Sequence, residues 1–281
     1  MLILNKNEEN MSKIRREKKY KLALKNLEIL GITFFGSGSD RLLFELAGRL
    51  EKGERKIWIT TVNPEFIMLA ANNKEFMDII NKSDIKVVDG IGLIWAYNVI
   101  YYRRGFERWW MALRIGVEIL MGKRRDELIS GSNLMAEICQ KRTKRKVYFL
   151  GAWGDRAKRT AEHFRSGNEM LETRFSQGEP EVNNKKVVED INKFDPDFLF
   201  VAYGMKRQEE WIESNLDKIN VGVVMGVGRS FDYYSGDLKR APFWTRKMGL
   251  EWLFSLIKEP KRWKRQLALP KFIWMVLTKV A

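Results

Sequence analysis

The short run Asp89-Gly90-Ile91-Gly92 follows the apolar segment Ile85-Lys86-Val87-Val88. A carboxylate at the end of a buried strand, ahead of a glycine turn, can take a proton from a substrate hydroxyl, or it can cap the helix that follows. It is a weak base unless burial raises its proton affinity. Three other apolar runs end in polar or glycine-rich residues. Thr61 and Asn63 close IWITTV (57–62), Gly204 to Glu209 follow DFLFVAY, and Gly226-Val227-Gly228-Arg229-Ser230-Phe231-Asp232 follows VGVVM. In open parallel sheets, ligands bind beyond such carboxyl ends. The glycine turns at 226–228 and 151–154 are suited to bring backbone N–H groups to a diphosphate. Neither is the G-x-G-x-x-G of a dinucleotide site, which argues against a nicotinamide oxidoreductase. Metal chemistry has little material. His163 is the one histidine and is read as a surface residue, Cys139 is the one cysteine and is read as core, and Asp195-Pro196-Asp197 precedes its strand. No protein-held metal and no cofactor are expected.

The elements that must position these groups alternate. Strand-like runs at 57–62, 85–88, 146–153, 197–204 and 221–228 are separated by helical patterns such as PEFIMLAANNKEFMDIIN and GDRAKRTAEHFRS. Continuous β-branched runs between helices predict an α/β fold, a Rossmann-like parallel sheet with helices on both faces. Residues 1–24 read as a polar extension, 25–243 as the catalytic domain, and 244–281 as a basic helical C-terminal appendage.

The chain has 281 residues and a net charge of +15. Such a surplus favours polyanions: nucleic acid, anionic membrane or phosphorylated substrate. Residues 97–125 and 239–281 carry +14 of it, and six of the ten tryptophans. In FERWWMALRIGVEILMGKRRDE the charges Glu107, Arg114, Glu118 and Arg125 share one narrow helical stripe and leave a broad apolar surface. That pattern fits a helix lying in a membrane interface better than a nucleic-acid surface, which would show a dense basic face. The competing readings are amphipathic helices packed on their own domain or on a second copy, and a basic nucleic-acid-binding protein. The N-terminus lacks a signal-peptide apolar core and no run of about 18 apolar residues occurs, so a cytoplasmic protein peripheral to the inner face of the cell membrane is expected.

Taken in order, T-x-N-P-E (61–65), D-G-I-G-L-I-W-A (89–96), I-S-G-S-N-L (129–134), F-L-G (149–151), Y-G-x-x-x-Q-E-x-W-I (203–212), G-V-G-x-x-F-D (226–232), G-x-x-K-R-A-P-x-W (236–244) and G-L-E-W-L-F-x-L-x-x-E-P-x-R (249–262) resemble the WecG/TagA/CpsF glycosyltransferases. The resemblance implies a metal-independent, inverting enzyme. It would move a sugar, often N-acetylmannosamine, from a UDP-sugar donor to a polyprenyl-diphosphate-linked acceptor in cell-surface polysaccharide synthesis. Asp89 would be the base, with Thr61 and Asn63 near the reaction centre. Gly90, Gly92, Gly204, Gln208, Glu209, Gly226, Gly228, Asp232 and Arg240 would bind substrate, and Arg262 and Arg265 of the appendage would meet the diphosphate. An anionic membrane surface and a homo-oligomer are the macromolecular partners this allows, and nucleic acid is not one. The chain departs from the family pattern at three places. Lys206-Arg207-Gln208-Glu209 replaces P-K-Q-E, Asn133 stands where the family has aspartate, and residues 98–126 exceed the usual link, which reads as an added membrane or oligomer contact.

Overall fold

The computed structural model describes residues 27–123, 128–177, 184–260 and 263–279. The polar extension (1–24) and Arg262 lie outside the described residues. Six parallel strands form the sheet: β3 (Ile57–Val62), β4 (Ile85–Val88), β5 (Arg145–Gly151), β6 (Leu171–Ser176), β7 (Phe198–Ala202) and β8 (Val223–Gly226). Their order is β4-β3-β8-β7-β5-β6. Every residue of β3, β7 and β8 is buried, as expected for strands covered on both faces. A short antiparallel hairpin, β1 (Leu27–Ile29) and β2 (Ile32–Phe34), forms its own two-stranded sheet and docks beside β4, where the Phe35 N–H donates to Lys86 O (2.8 Å).

Period-two alternation splits the sheet residues between two cores. Ile57, Ile59, Val147, Phe149, Phe200 and Met225 face α1 (Ser39–Glu51), α6 (Gly131–Gln140) and α7 (Arg156–Gly167). Trp58, Tyr148, Leu199, Val201 and Val224 face α3 (Lys74–Lys82), α8 (Asn184–Phe194) and α9 (Arg207–Asn215). Cys139 is buried in the first core, where burial pushes its thiol pKa upward, and His163 is exposed, with its ring against Phe164 and Tyr234. Both match their reading from sequence. Asp197 accepts the Lys146 N–H (2.8 Å) and Asp195 pairs with Arg55, so Asp-Pro-Asp braces the sheet at the end where β5 and β7 begin.

A third core lies beside the edge strand β4. It joins α2 (Pro64–Ala70), α4 (Ile91–Ile100), α5 (Phe106–Leu120) and the last helix of the described chain, α14 (Ala268–Thr278), through Phe66, Leu93, Ile115, Phe272 and Val276. The segment from 244 on is helical, as read, and is built from α11 (Phe243–Lys247), α12 (Glu251–Lys258), α13 (Trp263–Gln266) and α14. Its final helix is part of this core. Arg108 of α5 is only 2% exposed. Its guanidinium donates to the carbonyls of Tyr102 (2.8 and 2.9 Å) and Ile100 (3.3 Å) after and within α4, and of Val276 (3.1 Å) in α14. A buried cation is tolerated there because helix-end carbonyls, which lack intrahelical partners and carry partial negative charge, receive it.

The helix α5 divides the apolar surface that its sequence suggested. Ala112, Ile115 and Ile119 enter the core, while Phe106, Trp110 and Leu113 stand 86%, 59% and 63% exposed. Trp109, also exposed, meets Trp274 of α14 edge to face with ring centroids 6.3 Å apart.

Candidate active site

The chain runs from β3 out to β4, crosses to β5 and β6, and returns through β7 and β8 to the other side of β3. The direction of winding reverses between β3 and β8, and a ligand crevice is expected outside that switch point. A cavity of about 400 Å³ opens there, between the strand ends and the C-terminal helices.

Asp89 lies in the wall of this cavity. Its backbone N–H donates to Val62 O (2.7 Å), which extends the pairing of β3 and β4 by one residue. Gly90, at φ +128°, turns the chain sharply into α4 and is itself the N-cap. The Asp89 carboxylate is thereby released from capping and accepts the N–H of Gly131 at the start of α6. Burial, reinforced by Glu251, raises its pKa from the ordinary 3.8 to about 7, against the opposing pull of the Gly131 N–H and Arg240. A carboxylate poised near neutrality is a competent general base.

The neighbouring residues have more local duties than the sequence indicated. Asn63 caps α2, its Oδ1 accepting from Glu65 N (2.9 Å) and Phe66 N (3.1 Å), which leaves the amide nitrogen as its remaining donor. Thr61 donates its hydroxyl to Gly226 O (3.1 Å), tying β3 to β8 at the switch point. Thr61, Asn63, Asp89, Gly90, Gly92, Gly204, Gln208, Gly228 and Arg265 all line the cavity.

Four expected site residues sit behind that lining. Gly226 holds the bottom of the β8 turn. Glu209 is fully buried beneath it. Asp232 is buried against Arg156 (3.0 Å) and Arg229 (3.0 Å). Arg240 donates to Ser132 Oγ (3.1 Å) and lies 3.8 Å from Glu251. The 151–154 turn is away from the cavity, and the Gly228 N–H is given to Gln208 Oε1 (3.0 Å). The two glycine turns thus do not form the amide cradle that their sequences suggested.

In its place the cavity presents arginines. Arg229, Arg246 and Arg265 line it, from the β8 turn, α11 and the α13 region respectively. Two are held by carboxylates in two-point pairs: Arg229 on Glu259 (2.5 and 2.7 Å) and Arg265 on Glu65 (2.7 and 3.0 Å). Both pairs clamp the C-terminal helices over the strand ends. The same planar fork matches a phosphate group. Arg229, Arg246 and Glu251 were not singled out from sequence. Their signal was present, since each falls inside or beside a recurring motif (G-V-G-R, P-x-W-T-R, G-L-E-W). Among the described residues, no group of three His, Cys, Asp or Glu side chains is placed to hold a metal ion.

A carboxyl group poised near neutrality in one cavity with three arginines, at the switch point of a parallel sheet, suits group transfer. The sequence model of the Glycosyl transferase WecG/TagA/CpsF family matches residues 27–108 and 111–281, and the chain belongs to that family. It is a glycosyltransferase. A Bacillus subtilis (strain 168) protein is similar, 30% identical over 222 residues and 78% of each chain. One from Staphylococcus aureus (strain MW2) is 25% identical over 252 residues, covering 89% of this chain and 91% of its own. Both are named N-acetylglucosaminyldiphosphoundecaprenol N-acetyl-beta-D-mannosaminyltransferase.

Proposed function

We propose that this glycosyltransferase moves N-acetylmannosamine or a related hexose from a UDP-sugar to a sugar carried on a polyprenyl diphosphate, in the synthesis of a cell-surface polysaccharide. The observation that carries the reading is the placement of Asp89 in one cavity with Arg229, Arg246 and Arg265. The names of the relatives supply the acceptor and the sugar.

The acceptor hydroxyl enters beside Asp89. Its oxygen forms a bond to the anomeric carbon of the donor while the bond from that carbon to the diphosphate oxygen breaks on the opposite face. The hydroxyl proton passes to Asp89, UDP departs with the bonding electrons, and the configuration inverts. The arginines offset the charge that grows on the leaving diphosphate, a role that preorganised donors fill in a water-poor site. This arrangement needs no metal ion, and none enters the proposal.

A lipid-linked acceptor requires a protein that lies on a membrane. No helix among the described residues is long and apolar enough to cross one. The exposed Trp109, Trp110 and Trp274, with Arg103, Arg104, Lys271 and Lys279 nearby, suit an anionic headgroup layer instead. We place the enzyme peripherally on the inner face of the cell membrane.

The test is transfer from a panel of UDP-sugars to a lipid-diphosphate-linked N-acetylglucosamine, with wild type and Asp89→Asn. Loss of a proton acceptor in the transition state is expected to lower kcat by about a hundredfold or more. Wild-type kcat/KM should rise with pH through a midpoint of about 7, where Asp89 ionises. Full transfer by Asp89→Asn overturns the assignment.

A further inference from the structure

Behind the cavity wall lies a carboxylate that touches neither cavity nor solvent. Glu209 is 0% exposed, on the first turn of α9. One of its oxygens accepts the backbone N–H of Lys206 (2.9 Å) and the other accepts Gln208 Nε2 (2.8 Å). Gln208 Oε1 in turn accepts the N–H of Gly228 (3.0 Å). The next residue, Arg229, carries its guanidinium to the cavity. A chain of hydrogen bonds therefore runs from the turn after β7, through two side chains, to the turn after β8.

The chain has one allowed polarity. Lys206 N–H and Gly228 N–H are fixed donors at its two ends. Between them, Glu209 supplies acceptors only, and Gln208 offers its oxygen to Gly228 and its nitrogen to Glu209. The network is tightly packed against the β8 strand end, since a Cβ on Gly226 would fall 2.5 Å from Gln208 Nε2 and 2.8 Å from Glu209 Oε1. The backbone is bent to serve this network: Lys206 sits at φ +74°, ψ −59°, a strained conformation rare for any residue with a side chain. Proline, which the family pattern has at this position, can neither adopt that φ nor donate the N–H.

We propose that Glu209 is a positioning residue: by fixing which way the Gln208 amide points, it holds the β8 turn and sets Arg229 against the donor diphosphate. This rests on the donor reading given above. Buried carboxylates are costly, and burial raises the Glu209 pKa to about 7 against the hydrogen bonds from Gln208 and Lys206. A structural plug would be better filled by an apolar side chain, whereas an acceptor at both ends requires a carboxylate.

The experiment exploits the polarity. In Glu209→Gln the new amide must still turn its oxygen to Lys206, so its nitrogen opposes Gln208 Nε2. Gln208 can escape only by flipping, which sets its nitrogen against the Gly228 N–H. The exchange Gln208→Glu with Glu209→Gln restores every donor–acceptor match and keeps one carboxylate. UDP binding is measured by calorimetry at about pH 8, where the carboxylate is mostly ionised. Glu209→Gln is expected to weaken it about tenfold, the scale of one opposed buried hydrogen bond. The exchange is read on the turn alone, because Gln208 lines the cavity. Hydrogen exchange of the peptide spanning 224–232 reads the turn without ligand: faster in Glu209→Gln, protected again in the exchange. If Glu209→Gln fails to fold, the exchange must still fold and protect the turn. Wild-type-like binding and protection in Glu209→Gln, or an exchange variant whose turn is no better protected than that of the single one, overturns the proposal. A wild type that shows the protection pattern but binds no UDP refutes the donor reading and leaves the turn assignment standing.

Discussion

Replacing the proposed base should make the protein more stable, and by an amount that depends on pH. In the folded chain Asp89 titrates at about 7 against an ordinary 3.8. The folded state therefore binds more protons than the unfolded state between those values, so wild-type stability falls as pH rises through that window. Below 3.8 Asp89 imposes no penalty, and above 7 the penalty is complete. At about 1.4 kcal/mol per pH unit the span amounts to roughly 4 kcal/mol, and water in the cavity screens part of it, leaving about 2–4 kcal/mol. Asp89→Asn removes the ionisation and keeps an oxygen for the Gly131 N–H. At about 2 °C per kcal/mol for a chain of this size, its Tm should exceed that of wild type by about 4–8 °C at pH 8. The gain should shrink by more than half at about pH 5, where most of the wild-type carboxyl is protonated. Differential scanning calorimetry of both proteins across that range is the assay. A Tm difference that is absent, negative or independent of pH would refute the claim that the base is held in a medium hostile to its charge.

Three further outcomes follow from the contacts described. Arg265→Ala breaks an exposed ion pair with Glu65, so the unfolding free energy should change by less than about 1 kcal/mol while kcat/KM falls at least about tenfold; equal losses in both would mean that Arg265 only holds the helices in place. Trp110→Glu places a charge on the exposed face of α5 and should leave Tm unchanged while cosedimentation with anionic liposomes drops several-fold; undiminished sedimentation would move the membrane contact elsewhere. Lys206→Gly should stabilise the protein by about 1 kcal/mol by relieving the positive φ, and Lys206→Pro should destabilise it by about 3 kcal/mol or more, both read from denaturant midpoints.

The central strands were legible because each is buried on both faces and so reads as an uninterrupted apolar run. The edge strand β6 was not, because LETRFS carries Glu172 and Arg174 on a half-exposed rim, where alternation no longer distinguishes strand from loop. The hairpin of β1 and β2 escaped for a related reason: three-residue strands are too short to show a period. Asp89 was legible as a strand-end carboxylate, yet its partner, the Gly131 N–H, lies far along the chain and left open whether it caps the helix that follows. Glu209 differs: both groups it accepts from, Lys206 N–H and Gln208 Nε2, are local, the first in the manner of an N3 cap on α9. What has no local signature is the onward link from Gln208 to Gly228. Arg229 and Glu251 are surface-type residues by composition. Arg229 reaches the cavity from the β8 turn and Glu251 from the C-terminal helices folded back over the sheet, placements that periodicity does not report.

That return of the C-terminal helices also bears on how the enzyme comes into being. Phe272 and Val276 complete a core begun by Phe66 and Leu93, and Arg265 and Leu269 close the same cavity that Asp89 opens. Closing so long a loop is entropically slow and must precede any reward from the contacts it makes. The six-stranded sheet, whose last strand ends at Gly226, can assemble earlier. A growing or partly folded chain would thus carry Asp89 at the strand ends with the roof still absent and the crevice open to water. The closed cavity is a product of the whole chain, and the sheet alone cannot make it.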